Sequence, residues 1–159
     1  MTSSDLRDFA TVIAAITALL VFAFNSHNHR RNQRIENLAR FFDVHRRLLA
    51  VEGFLMKHFA AIEAGSFVRD PSDEDNERRF HVLLLQVEQL AILAHNRAVP
   101  ESTQVYMFGL YASHLHRLLT ERDHENMFWE LAITYLKRLS DLTAAYQRMT
   151  PGERLRFQR

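Results

Sequence analysis

The chain has 159 residues, a formal net charge of +1 and 25% charged residues. A balance so close to neutral gives no global field to recruit nucleic acid. It contains no cysteine, which excludes disulfides, thiolate catalysis and cysteine-based zinc sites and suits a reducing compartment.

Residues 1–8 form a short leader of mixed charge, with Asp5, Arg7 and Asp8. Residues 9–24, FATVIAAITALLVFAF, then run for sixteen positions without a charge, Pro, Gly, Asn or Gln. As a helix that run reaches roughly 24 Å at about 1.5 Å per residue. A full hydrocarbon crossing usually takes about 20 residues; Leu6 can lengthen the run, and thin bilayers accept shorter ones. A signal peptide requires a basic n-region and a small-residue cleavage site, and the leader and the run provide neither. A core helix would show a charged face, which this run lacks. The pattern therefore predicts a transmembrane helix over residues 9–24.

The segment that follows, NSHNHRRNQR, holds Arg30, Arg31 and Arg34 and no acid, against one Arg in the leader. Basic residues collect on the cytoplasmic side, which predicts an outside amino terminus and a cytoplasmic carboxyl-terminal part. The eighteen Arg against two Lys fit a GC-rich bacterial coding sequence, and so a bacterial inner membrane. Arg30, Arg31 and Arg34 are expected to meet anionic lipid headgroups. No ionisable group lies within residues 9–24, so the run offers no ion or proton pathway.

From Asn32 to Leu49 the residues Ile35, Leu38, Phe42, His45 and Leu49 alternate spacings of three and four, one stripe of an amphipathic helix. Glu52-Gly53 predicts a break. A second helix is expected over residues 54–64, stopped by Gly65. SFVRDPSDED reads as a loop, with Ser72 capping the next helix and Asp75 completing a capping box. The third helix is expected over residues 73–95; its middle, VLLLQVEQLAILA, is apolar over most of its circumference, which predicts a central position. His81, Glu88 and His95 repeat every seven residues, about 10.5 Å along the axis, too far apart to share a metal.

The fourth helix is expected over residues 101–121, with Pro100 in its lead-in and Val105, Phe108, Ala112, Leu115 and Leu119 as its stripe. Gly109 inside a helix costs roughly 1 kcal/mol relative to Ala, which predicts a close approach there. The fifth is expected over residues 125–148, with Phe128, Ala132, Tyr135, Leu139, Leu142 and Tyr146 as its stripe. Thr150-Pro151-Gly152 ends it, and residues 150–159 read as a mobile basic tail. The fold class expected is all-α: one N-terminal transmembrane helix followed by an antiparallel bundle of four to five helices. Residues 25–149 hold the juxtamembrane helix and cytoplasmic bundle.

Motifs that carry chemistry are sparse. Helical di-iron proteins use two Glu-x-x-His pairs and two further Glu; this chain has one such pair, Glu121 and His124, at a predicted junction. It has no Gly-rich phosphate loop, nucleophile elbow or zinc-protease signature. No catalytic, cofactor-binding or metal-binding residue is expected, and no small-molecule substrate is evident. The aromatics follow helix stripes instead of alternating with Arg, so no nucleic-acid platform is expected. Tyr106, Met107, Tyr111, Met127 and Trp129 fall off the stripes. Flanked by Arg, such side chains match the composition of protein-binding surfaces; a second buried face of the same helices is the competing reading.

NLARFFDVHRRLL after the run, LLLQVEQLAILAHNRAVP in the third helix and ENMFWELAITYL in the fifth carry a resemblance. In these stretches the chain resembles uncharacterised bacterial proteins with one amino-terminal span and a small cytoplasmic helical domain, in which a leucine-rich helix ends in a polar turn and an x-V-P lead into the next. The resemblance covers about the last 120 residues and implies no catalytic residues. The function expected is a non-catalytic accessory or assembly subunit docking on an integral membrane complex. The alternatives are a membrane-tethered regulatory module that recruits a soluble partner and an enzyme with an unrecognised metal site.

Overall fold

The computed structural model describes residues 3–50 and 53–158, without the side chains of residues 3–12, 14 and 15. It has two compact units, Met1–Glu36 and Asn37–Arg159. The described residues are all-helical: α1 (Ser3–Leu48), α2 (Phe54–Glu63), α3 (Glu74–His95), α4 (Glu101–His116), α5 (Glu121–Glu125), a 3₁₀ turn η1 (Met127–Trp129), α6 (Glu130–Arg148) and α7 (Pro151–Phe157).

In the first unit the described side chains of the apolar run are exposed, from 48% at Ile13 to 70% at Phe22. Among the described residues no helix is long and apolar enough to cross a membrane, so the expected transmembrane helix is not supported there. The run spans residues 9–24, and the side chains of residues 9–12, 14 and 15 lie outside the described set. What remains, Ile13 and residues 16–24, is shorter than a bilayer crossing.

The second unit is a helical bundle. Its first piece, the end of α1, buries Phe41, Val44 and Leu48. The expected stripe is rotated by one position: Phe42 and Ile35 are exposed, while Leu38, His45 and Leu49 are half-buried. Both spacings obey the helical period, and the choice between adjacent faces belongs to the packing. His45 is satisfied, its Nε2 donating to the Met107 carbonyl at 2.8 Å. The expected break at Glu52-Gly53 falls partly on residues 51 and 52, outside the described set.

Two helices end in the same six-residue hydrogen-bond pattern. After α2, Gly65 N–H donates to the Ile62 carbonyl and Ser66 N–H to Ala61. After α3, Arg97 donates to Ala94 and Ala98 to Leu93. This motif needs a left-handed residue just past the helix, with φ 70° at Gly65 and 51° at Arg97. The glycine stop was legible; a left-handed arginine was not.

α3 starts one residue later than expected. Its cap is Asp73, whose carboxylate accepts the Asn76 N–H at 3.1 Å. Ser72 instead turns back to Asp70, and Asp75 pairs with Arg78 and Arg79. α3 buries Phe80, Leu83, Leu84, Val87, Leu90, Ala91 and Ala94, yet Val82, Leu85 and Ile92 are nearly half exposed. It contributes seven core side chains, but its apolar circumference is only partly covered.

α6 packs against both α3 and α4. The tight point is Gly109, where an added Cβ would overlap the Thr143 hydroxyl and come within 3.2 Å of its Cβ. α4 stops at His116, five residues short of expectation, and the chain re-caps before continuing. Thr120 and Asp123 form a capping box on α5, and Asn126 caps η1 through the Phe128 N–H. The expected mobile tail is a helix over Pro151–Phe157, closed by a Thr150–Glu153 capping box. Phe157 and Arg154 rest on the Tyr146 ring.

Candidate partner-binding surface

The loop between α2 and α3 sends Arg69 inward. Its side chain is 6% exposed, facing Glu77 of α3 at 16% and Asp123 of α5 at 4%. Arg69 Nε and Nη2 grip the two Glu77 oxygens at 2.5 and 2.6 Å. Its Nη1 donates to Asp123 Oδ2 and, at 3.4 Å, to the Leu118 carbonyl; Nη2 also reaches Asp123 Oδ1 at 3.2 Å. All five guanidinium donors are thus spent, which satisfies the condition for burying a charge. The Arg69 guanidinium also lies 3.9 Å above the Phe80 ring. Burial alone would raise the Asp123 carboxyl, but the hydrogen bonds from Arg69 and Thr120 outweigh it and hold it below the usual carboxylate range.

Beside this network lies a cavity of about 280 Å³. Its aromatic wall is the Trp129 indole stacked on the His81 imidazole, centroids 5.6 Å apart. His81 Nε2 stands 3.9 Å from Glu77. Glu121 and Arg122 of α5 also line the cavity. Between the lining residues Asn126 and Trp129, η1 pushes Met127 and Phe128 outward, 76% and 73% exposed. Phe128 was expected in the core stripe of the fifth helix. The 3₁₀ turn replaces the first turn of that helix and rotates Phe128 to the surface. Phe108 and Tyr135 are buried and stack at 6.4 Å.

The five residues predicted to meet a partner separate into two groups. Tyr106 is 76% exposed on α4 and Met127 is equally exposed on η1. Met107, Tyr111 and Trp129 pack against the core, with Tyr111 5.6 Å from the Phe59 ring. Trp129 is half-buried and forms a cavity wall. Sequence reasoning missed Phe128, Arg69, Glu77 and Asp123. The aspartate carried one signal: it sits three residues after Thr120, in the capping-box position.

His114 is a second buried titratable group, 7% exposed. Its Nδ1 accepts from Arg117, and its Nε2 has no hydrogen-bond partner among the described residues. Burial first, and Arg117 second, push its pKa below the usual imidazole value. Glu121 and His124 are both exposed on α5. Among the described residues no group of three or more His, Cys, Asp or Glu could hold a metal ion.

On the first unit, Arg30, Arg31 and Arg34 are all exposed. They follow directly on the exposed apolar run. No protein-family model, curated protein or solved structure matches the chain.

Proposed function

We propose that the protein is a non-catalytic, membrane-anchored docking subunit: the apolar part of α1 enters the membrane of a bacterial cell, and the helical domain binds a larger membrane complex from the cytoplasm. One observation carries this reading. Ile13, Ile16, Leu19, Leu20, Val21, Phe22 and Phe24 are exposed on every side of one helix. Burying a large apolar side chain is worth about 1.5–3 kcal/mol. Seven such side chains left in water forgo on the order of 10 kcal/mol, comparable to the roughly 5–15 kcal/mol net stability of a domain. A protein partner covers a stripe of a helix, whereas lipid covers its whole circumference. Exposed Arg30, Arg31 and Arg34 suit the headgroup layer on the cytoplasmic side.

The test is extraction. The full chain expressed in bacteria should stay with the membrane pellet through alkaline carbonate and leave it only with detergent. Release by carbonate would overturn the anchor. In intact cells, cysteine placed at Ser3 should react with a membrane-impermeant thiol reagent and cysteine at Ser66 should not; the reverse pattern overturns the orientation. Stoichiometric co-purification with an integral membrane complex in mild detergent supports the docking role over a regulatory one.

A further inference from the structure

The cavity beside Arg69 has the chemistry of a site for a cation. Arg69 cannot serve an anion there, because its five donors are taken by Glu77, Asp123 and the Leu118 carbonyl. One guanidinium between two carboxylates leaves a negative charge at the cavity floor. Of the other lining residues, Glu121 and Arg122 offset each other. Glu125 and Glu130, both exposed, stand in the chain just before Asn126 and just after Trp129, which line the cavity. The wall is a stacked indole and imidazole, a surface on which guanidinium groups stack and are attracted electrostatically. A volume of about 280 Å³ accommodates one long side chain. Met127 and Phe128, each about three-quarters exposed, lie in the chain between the lining residues Asn126 and Trp129 and offer apolar surface next to them, where aromatic and Met side chains are characteristic of binding surfaces.

We propose that this cavity receives an arginine side chain from the partner protein, with Met127 and Phe128 packing against the apolar residues that flank that arginine. The proposal rests on the docking reading above and names the chemistry of the partner segment: basic, with apolar neighbours. The excess of carboxylates over guanidinium groups around the cavity steers it, and the Trp129 and His81 wall holds the guanidinium plane.

Trp129 is the only tryptophan in the chain, so its emission reports on the cavity directly. The full chain in detergent micelles would be titrated with N-acetyl-arginine amide and with the neutral isostere N-acetyl-citrulline amide. A ligand of this size should bind with a Kd of about 1 mM. The expected result is a saturable change with the arginine probe, weakened by salt, and a much weaker one with citrulline. Glu121→Gln should loosen the arginine probe about two- to fivefold. Acetyl-Leu-Leu-Arg amide should bind about tenfold more tightly than the single residue, and Phe128→Ser should remove that gain. An equal response to both single-residue probes overturns the proposal, as does saturation by inorganic phosphate instead of arginine. No saturable change up to the solubility of the probe also overturns it. Carbonate extraction reads the anchor independently, so failure of the cavity leaves the docking subunit's membrane assignment standing, and the converse.

Discussion

Arg69 stands in the segment with the clearest loop composition in the chain, yet its side chain is more buried than that of Glu77 and nearly as buried as that of Asp123. Loops pass for solvated, but the acids that neutralise this arginine come from α3 and α5, eight and fifty-four residues away. No local pattern pairs them, so the network was invisible in the sequence. Breaking a buried pair strands a charge, at a cost of about 3–5 kcal/mol. Arg69→Met should therefore lower the stability measured by urea unfolding by about that much. Arg69→Lys should recover little, since an ammonium cannot fork onto two carboxylates. A loss below about 1 kcal/mol, the range of exposed pairs, would mean that the network is solvated. Acid titration separates two groups. His114 has a lowered pKa in the folded state, so below the unfolded value of 6.5 the unfolded chain binds the extra proton and stability falls. Glu63 of α2 faces His114 and opposes this shift, while Arg117 reinforces it. Asp123 is lowered too; its contribution is present above the unfolded carboxyl value and is lost as pH drops through the folded one. His114→Gln should remove the first decline, near pH 6, and leave the second, below about pH 4. An unchanged profile near pH 6 would assign that decline elsewhere, His116 being the next candidate, since burial lowers its pKa as well.

At the scale of elements, periodicity located α2, α3 and α4 to within a residue at their starts, because capping and Pro or Gly punctuation act locally. It failed where local caps cut the chain into pieces shorter than the helices expected. The junction expected between residues 121 and 125 is wider than that: α4 stops at His116, and caps at Thr120 and Asn126 start α5 and η1 before α6 begins. Gly109 is the element-scale feature that sequence and structure agree on. Gly109→Ala should cost about 1–3 kcal/mol as overpacking, because the new methyl meets the Thr143 hydroxyl. Thr143→Ala should relieve part of it in the double variant, and the coupling between neighbours in such a cycle is about 0.5–3 kcal/mol. Additive effects would show that α4 and α6 do not meet there. Arg97 offers the opposite sign. A non-glycine residue held at φ 51° carries left-handed strain of about 1–2 kcal/mol. Arg97→Gly should raise the melting temperature, although the freer unfolded chain takes back part of the gain. A lower melting temperature would show that the arginine side chain matters more than the backbone.

For the whole molecule the question is where one cooperative unit ends. The apolar run was legible because it is a matter of composition, whereas the bundle's surface is not: which of Met127, Phe128 and Trp129 faces out depends on a 3₁₀ turn that composition does not encode. Among the described residues, the compact unit that begins at Asn37 contains the whole buried core, from Phe41 through Leu139. Seven exposed apolar side chains of the run lie outside it. A chain lacking residues 1–31 should therefore remain helical and melt cooperatively, because none of the described side chains of the removed segment belongs to that core. Within this truncated chain Leu84→Ala should cost about 2–5 kcal/mol, since Leu84 is fully buried in the middle of α3. Calorimetry on the two proteins checks both statements. A truncated chain that stays unfolded in every buffer would mean that the apolar half of α1, or a partner bound to it, is part of the folding unit. In that case the two compact units would be a single thermodynamic domain.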